Sequence, residues 1–287
     1  MKTDLDVTRI SILVSLIAAL SLVATVSGIT SDDGPGRYVY TSIRGEDITI
    51  YGEGVYKHMS EEVAVQGIAQ DYVTLFVGIP LLFAGLILAR RGSVRGLVLM
   101  AGVLGYFLVT YLFYLTMGMY NSLYLVYAAL LCLTFFGLAL AVKALVALDR
   151  TVWDKAARLI RYEGIFLVAN SIMVTFLWLG IVVPPLIDGS LYPVQVEHYT
   201  TLIVQGFDLG LLLPIGIVVG VLAAKKRYHG LLFTPPYVVF LSVLMAALTA
   251  KILFMADAGY NVIPVIFIMP TICLIASSCS IAVLHRL

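Results

Sequence analysis

Charged residues are scarce in this chain of 287 residues, and that scarcity excludes several classes of protein. Only 12% of the residues are charged, 61% are hydrophobic, and the formal net charge is +1. Soluble domains carry about 25% charged residues, and nucleic-acid-binding domains present a basic surface. The composition therefore excludes a cytosolic enzyme, a disordered chain and a nucleic-acid-binding module. It predicts a polytopic membrane protein.

Cysteine and histidine are also few. Cys132, Cys273 and Cys279 lie in apolar segments without a Cys-x-x-Cys pair, which indicates packing residues rather than a disulfide framework. The four histidines fall in loops or at a helix end, so the pattern argues against a haem ligated between membrane helices. Metalloprotease, serine-hydrolase and Walker motifs are missing as well. We therefore expect no cofactor, no metal and no catalytic residue.

Long apolar stretches dominate the chain, and a membrane helix needs about 20 such residues. Eight stretches qualify, namely 10–30, 71–89, 96–117, 122–147, 164–187, 200–223, 234–256 and 261–284. The first is interpreted as a span rather than a secretory signal, because Asp4 and Asp6 precede it and it is long for a signal. The predicted fold is an all-α bundle of about eight transmembrane helices, with residues 1–287 forming a single membrane domain.

The basic residues indicate how this bundle is oriented. Fourteen of the 18 Lys and Arg residues fall in connections on one side, three fall on the other side, and Lys251 lies in a span. Basic residues concentrate in the cytoplasmic loops of membrane proteins. The sequence therefore predicts a multi-pass protein of the plasma membrane with both termini in the cytoplasm.

Two connections are long enough to have structure of their own. Residues 31–70 form an outer segment, in which alternating strand-like runs on both sides of the turn at 44–47 predict a small β-hairpin and a candidate lid. Residues 149–162 place apolar and charged side chains on opposite faces, which predicts a cytoplasmic interfacial helix. No motif recurs between spans 1–4 and spans 5–8, so the sequence gives no support for an internal repeat.

Two ionisable residues lie well inside spans, where they are costly and usually face the bundle interior. Asp208 and Lys251 are both expected roughly 8–12 Å below the outer surface, counted at 1.5 Å per residue. Because their spans are antiparallel neighbours, the sequence predicts an ion pair between them. Gly206, Gly210 and Pro214 beside Asp208 predict close helix packing and a kink.

Further polar side chains are expected in the same half of the bundle. Tyr111 and Tyr114 share one helix face and Tyr127 follows in the next span, while Gln70 and Asp71 stand at the head of span 2. Together they predict a polar pocket roofed by residues 31–70; the alternative is a structural network that fixes helix order. The candidate ligand-binding or gating residues are Asp208, Lys251, Gln205, Tyr111, Tyr114, Tyr127, Asp71 and Gln70.

Several short polar motifs are distributed along most of the chain. They are Arg44-Gly45-Glu46, the run from Ile50 to Tyr56, Gln70 to Leu75, Gly78 to Leu82, Tyr120 to Tyr127, and Val204 to Gly210 with Pro214. With Lys251 in the next span, they resemble an uncharacterised family of prokaryotic multispanning membrane proteins. The resemblance implies the multispanning architecture and no particular activity.

Three function classes fit these observations. The first is a membrane protein that binds or transports a small solute, an ion or a proton, with Asp208 and Lys251 binding or gating. The second is a non-catalytic sensor or assembly subunit whose hairpin contacts a protein partner. The third is an intramembrane enzyme acting on a lipid or isoprenoid, with Tyr111, Asp71 or Asp208 as acid or base. The expected partners are the lipid bilayer, a small solute or proton, and another membrane protein or a second copy.

Overall fold

The computed structural model describes residues 6–287, so Lys2 and Asp4 lie outside the described residues. Within that range, eight helices are long and apolar enough to cross a membrane, which indicates an integral membrane protein. The prediction of a helical bundle with eight long apolar helices is confirmed. The helices are α1 (Val7–Thr30), α2 (Glu61–Arg90), α3 (Val94–Thr116), α4 (Tyr124–Val146), α5 (Ala157–Asp188), α6 (Ile203–Ala224), α7 (Tyr228–Asp257) and α8 (Val265–Arg286).

Helix α3 lies at the centre of the bundle. It packs against α2, α4 and α7, and its side chains Tyr106, Phe107 and Tyr111 are among the largest fully buried ones. Helix α7 is also central, since it contacts α2, α3, α5, α6 and α8. The interface between α2, α3 and α7 is therefore the place where buried polar groups can meet.

Helices α2 and α6 each change to π-helical geometry shortly before a proline. The wide turns span Thr74–Gly78 before Pro80 and Asp208–Leu212 before Pro214. Proline lacks the N–H group that a regular helix would use, so the preceding turn has to rearrange. π-Helical turns of this kind often occur at functional sites. The break predicted at Pro214 is thus present, and α2 contains a second one.

Helices α2 and α6 occupy equivalent places in two halves of four long helices each, α1–α4 and α5–α8, and share local backbone features. The bounds of three features recur 134 positions later in the chain: the π-helical turn, the helix that follows it and the start of the next helix. The matching pairs are 74–78 with 208–212, 79–90 with 213–224, and 94 with 228. The sequence comparison, which gave no support for a repeat, did not detect this recurrence of element boundaries. Backbone geometry recurs, whereas few side chains do, Pro80 and Pro214 being one identical pair.

The turn after α2 and the turn after α6 share their backbone conformation. Gly92 N donates to Ala89 O at 2.9 Å, and the equivalent Lys226 N donates to Ala223 O at 2.8 Å. Gly92 has φ +77° and Lys226 has φ +53°. The same left-handed position is thus occupied by glycine in one half and by a residue with a Cβ atom in the other half.

This difference gives matched substitutions with opposite expected effects. The left-handed conformation costs an L-residue about 1–2 kcal/mol, whereas glycine adopts it freely. We expect Gly92→Ala to lower the free energy of unfolding by about 1 kcal/mol. Lys226→Gly should be neutral or stabilising, because relief of strain offsets the entropy that glycine adds to the unfolded chain. Thermal unfolding of both variants tests this, and equal destabilisation by both would contradict it.

A two-stranded antiparallel sheet forms within the first long connection, as the sequence predicts. Strand β1 (Tyr38–Thr41) pairs with β2 (Asp47–Ile50), and Tyr38 lies opposite Ile50. The hairpin contacts the connection between α5 and α6, because Arg44 Nη1 donates to Glu197 O at 3.0 Å. The hairpin therefore links the two halves at one end of the bundle, which we call the hairpin end.

The segment before α5 is divided differently from the prediction. Only Thr151–Asp154 forms a separate short helix, and α5 begins at Ala157, so residues 149–162 are not one helix. Trp153 is fully buried and fixes this corner against the bundle. Its position at a membrane interface stays a prediction. Because α5 begins seven residues before the predicted span at 164–187, it includes the acidic Glu163.

Candidate functional site

The most deeply buried acid near the hairpin end is Asp71 of α2, whose exposed fraction is 1%. Its Oδ2 accepts a hydrogen bond from the Tyr56 hydroxyl at 2.5 Å, and its Oδ1 accepts one from the Tyr114 hydroxyl at 3.0 Å. Tyr56 comes from the segment between the hairpin and α2, and Tyr114 comes from α3. One carboxylate therefore connects the bundle to the segment that follows the hairpin.

Two glycines allow this close packing. A Cβ atom on Gly28 of α1 would overlap the Asp71 carboxylate, and a Cβ atom on Gly67 would lie 2.8 Å from the Tyr56 ring. Burial and the nearby Asp71 carboxylate raise the pKa of Tyr56 well above its ordinary value. The Tyr56 phenol therefore remains protonated and keeps its role as a donor.

Four tyrosines surround the carboxylate, and we call Tyr56, Tyr111, Tyr114 and Tyr127 the tyrosine cluster. Tyr111 and Tyr127 stack with ring centroids 6.2 Å apart, and Tyr114 meets them edge-on at 5.9 and 5.3 Å. Tyr111 and Tyr127 are buried, as the sequence predicts. The Tyr111 hydroxyl has no hydrogen-bond partner among the described residues. The cluster thus combines apolar ring faces with hydroxyl groups close to Asp71.

A second buried polar layer lies between α2 and α3. The Gln70 side-chain amide donates to the Tyr106 hydroxyl at 2.8 Å and to Thr110 Oγ1 at 3.1 Å. Tyr106 also shares a hydrogen bond of 2.8 Å with Thr74, the first residue of the π-helical turn in α2. Buried polar networks that are satisfied in this way hold neighbouring helices in one arrangement. These hydrogen bonds hold α2 in one rotation against α3, and this rotation sets the direction in which the Asp71 side chain points.

Lys251 is half-buried on α7, the helix that packs against α2. The predicted direct ion pair with Asp208 is wrong, because the three ion pairs found within residues 6–287 do not include Lys251. Asp208 instead accepts a hydrogen bond from Trp178 Nε1 of α5 at 2.8 Å. Residue counting gave the depth of Asp208, but it could not give the helix face, which depends on the π-helical turn that begins there.

The structure therefore sorts the predicted site residues into groups. Five of them lie in adjoining buried layers of α2, α3 and α4, namely Gln70, Asp71, Tyr111, Tyr114 and Tyr127, while Lys251 lies on the neighbouring helix α7. Asp208 is half-buried beside Trp178, away from a direct contact with the ammonium group. Gln205 is half-buried and makes no side-chain hydrogen bond within the described part of the chain. The centre of the site is thus Asp71 rather than Asp208.

Several residues at or near this site were missed by sequence reasoning. Tyr56 lies in the segment predicted to roof the pocket but was not selected as a site residue, because it is 15 positions before Asp71 in the chain. Gly28 lies in an apolar run, and the sequence does not indicate which residue packs against it. Glu163 is fully buried in α5, and both of its carboxylate oxygens lack a partner among the described residues. The only sequence signal for Glu163 was an acidic residue next to an apolar run, and the predicted span began one residue after Glu163.

The arrangement around Asp71 is that of a buried carboxylate held by phenol donors. A carboxylate that accepts bonds from two phenols can take up a proton or bind a cation, and an ammonium group nearby can compete for it. Within residues 6–287, no group of three or more His, Cys, Asp or Glu side chains could hold a metal ion. The site is therefore best described as a buried acid with phenol donors.

The hairpin end also carries a half-buried acid, Glu197. Its backbone has φ +48°, and burial is the main cause that raises the pKa of its carboxyl above 4.5. A raised folded-state pKa means that stability is fully present below the unfolded value and is lost as the pH rises through the folded value. Glu197 thus disfavours the folded state at neutral pH.

We therefore expect Glu197→Gln to raise the unfolding temperature by a few degrees at pH 7–8 and to have no effect below pH 4.5. The exposed Glu46 of the hairpin offers the same chemical change as a control, and Glu46→Gln should have little effect at either pH. Unfolding temperatures of the purified variants across pH test this. A gain for Glu197→Gln that persists unchanged below pH 4.5 would contradict an electrostatic cause.

A search of known protein families finds no match for this chain, and no curated protein and no solved structure matches it. Eight apolar helices indicate an integral membrane protein. Its function has to be inferred from the geometry around Asp71 and from the two similar halves.

Proposed function

We propose that this protein binds or transports a small solute or ion across the plasma membrane, with Asp71 as the proton- or cation-binding group. The excess of basic residues in the connections opposite the hairpin supports cytoplasmic termini. In that orientation the hairpin end faces outward, and Asp71 lies in the outer half of the bundle. Residues 1–287 would form one membrane domain, with residues 31–60 as its outer segment, because α2 begins at Glu61.

The observation that carries this proposal is a buried carboxylate, Asp71, on the helix that packs against the helix of Lys251. Asp71 belongs to the first half and Lys251 to the second, and α2 packs against α7. Charged groups at membrane depth are expensive and commonly mark ion or substrate pathways. A carboxylate and an ammonium group at the interface between two halves can exchange partners when the halves move.

The two equivalent halves support transport in particular. Transporters that alternate between outward-open and inward-open states are often built from repeats, and their sites lie at the repeat interface near broken helices. Here α2 and α6 are interrupted at equivalent positions. Each half contains four long helices, an even number, so both halves would have the same orientation relative to the membrane. Asp71 lies three residues before the break in α2, and Asp208 begins the break in α6.

Buried carboxylates in both halves favour a proton as the coupling ion. Asp71 lies nearest the hairpin, Asp208 follows in the second half, and Glu163 is close to the opposite end of α5. Series of buried acids are typical of proton relays in transporters. The unpartnered oxygens of Glu163 support a role in which it receives a proton.

The outer segment would act as a lid whose position depends on Asp71. Tyr56 donates to Asp71, and the same segment is held to the second half through Arg44, Glu197 and Tyr192. When Asp71 takes up a proton or a cation, the Tyr56 hydrogen bond weakens. Lid opening and charge at Asp71 are therefore coupled in this proposal.

The test compares Lys251→Met with a matched lysine variant in a solute screen. Purified full-length protein is mixed with a panel of amino acids, sugars, organic acids, nucleosides and inorganic cations, and its unfolding temperature is measured at several pH values. Binding to the native state raises stability by mass action, by about 2.7 kcal/mol at 100 times the Kd. Exposed Lys225, outside the site, provides the control Lys225→Met.

We expect at least one solute or cation to stabilise wild type and Lys225→Met by the same amount, and Lys251→Met far less. Proton uptake into proteoliposomes should then occur with that solute and fall at least tenfold in Lys251→Met. Equal responses of all three proteins would contradict the proposal. A protein that binds none of the solutes but retains a stoichiometric partner on its hairpin would favour the sensor or assembly alternative.

A further inference from the structure

A groove lies at the end of the bundle opposite the hairpin, between the start of α5 and the end of α8. Its volume is about 620 Å³. Lys155 and Arg158 line one side, and His285 and Arg286 line the other. Tyr162 also borders it. These side chains are all exposed, so the groove is open to whatever surrounds the molecule.

The groove carries basic groups without acidic partners. The three ion pairs present within residues 6–287 involve none of its four basic side chains. Arg95 adds a further cation at its edge, where its Nη2 donates to the carbonyl of His285 at 3.3 Å. Glu163, a nearby acid of α5, is fully buried and makes no contribution to the exposed wall. The groove therefore has an unneutralised positive charge suited to a phosphate group.

Apolar surface adjoins the cations on the side toward the middle of the helices. Leu159 and Ala282 lie within the groove. Ile165 of α5 and Ile281 of α8 lie about one turn farther along and are 48% and 58% exposed. A ligand that follows this surface would meet a phosphate-binding end first and an aliphatic wall next. That sequence of surfaces matches a phospholipid better than a free anion.

We propose that this groove binds the phosphate headgroup of an anionic phospholipid. Basic pockets between membrane helices on the cytoplasmic side are suited to such headgroups. Lys155, Arg158 and Arg286 would contact the phosphate, Tyr162 would lie at the interfacial level, and the acyl chains would run along Ile165 and Ile281. The proposal depends on the placement of the protein in a bilayer, but it is independent of any role of Asp71.

The test uses the full-length protein in detergent, with phosphatidylglycerol, phosphatidylcholine or inorganic phosphate added. The groove variant combines Arg158→Gln with Arg286→Gln. The control combines Arg90→Gln with Arg91→Gln, which removes the same charge from exposed positions outside the groove lining. The readouts are the unfolding temperature as a function of lipid concentration and the number of retained lipids by native mass spectrometry.

We expect phosphatidylglycerol to stabilise wild type and the control variant, and the groove variant to need at least ten times more lipid for the same shift. Phosphatidylcholine and inorganic phosphate should have little effect. Equal responses of the two double variants would overturn the proposal, since they would indicate a general charge effect. A full response to inorganic phosphate would also overturn it, because the site would then bind free phosphate. Solute transport that fails while lipid binding is intact would affect only the function proposed for Asp71.

Discussion

Asp71→Ala is expected to destabilise the protein by about 1–3 kcal/mol, while Asp71→Asn should remain folded and lose its response to protons and solutes. The alanine removes the acceptor of the Tyr56 hydroxyl, whereas the Tyr114 hydroxyl keeps a second acceptor, Gly67 O, at 3.0 Å. An unsatisfied buried polar group costs about 1–3 kcal/mol. Asparagine keeps an acceptor oxygen, but it cannot take up a proton or attract a cation.

Unfolding temperature and solute binding of the two variants are the measurements. The exposed Asp154 provides a control for the loss of one carboxylate, and Asp154→Ala should change the unfolding temperature little. A double-mutant cycle with Tyr56→Phe isolates the hydrogen bond itself, because contacting pairs show coupling of about 0.5–3 kcal/mol. If Asp71→Ala is as stable as wild type and the cycle shows no coupling, the tyrosine cluster does not hold Asp71.

Gly28→Ala is expected to be the most damaging addition of a single methyl group near this site. The new Cβ atom would overlap the Asp71 carboxylate, which is held in place by two tyrosines and cannot easily move. Overpacking of a well-packed interior costs about 1–3 kcal/mol, and here it also disturbs buried hydrogen bonds. We expect a clear drop in unfolding temperature together with loss of any solute response.

Gly180 of α5 is the matched control for this substitution. A Cβ atom there would meet no atom within 4 Å, so Gly180→Ala should be neutral or stabilising by up to about 1 kcal/mol through helix propensity. A combined Gly28→Ala and Asp71→Ala variant should recover part of the lost stability, because the overlapping carboxylate is gone. Equal effects of Gly28→Ala and Gly180→Ala would show that α1 does not approach Asp71 closely.

The site centre illustrates where residue counting stops being informative. Counting along spans predicted the depth of Lys251 and Asp208, since depth in a helix follows directly from residue number. It failed to select between Asp71 and Asp208 as the acid that the tyrosines surround. Selection depends on helix rotation, and the π-helical turn at Asp208 alters rotation without any change in composition. Trp178, which the sequence allows as an ordinary interfacial aromatic, then becomes the partner of Asp208.

The backbone features shared by α2 and α6 show the same limit at a larger scale. The two halves agree in the position of the π-helical turn, in the length of the next helix and in the left-handed turn residue. These features are backbone properties that different side chains can satisfy, as glycine at 92 and lysine at 226 do. A comparison of residue types between spans therefore misses a correspondence that the backbone makes plain.

The sequence by itself determined the eight apolar helices and the small hairpin, because hydropathy and strand alternation are local properties that need no knowledge of packing. It also brought most of the polar side chains into one candidate set. Only the tertiary structure decided that Asp71 is the centre, that Tyr56 reaches it from a connecting segment, and that Gly28 packs upon it. Those relationships join residues that are distant along the chain, and they depend on helix rotation and close approach, which no single segment specifies.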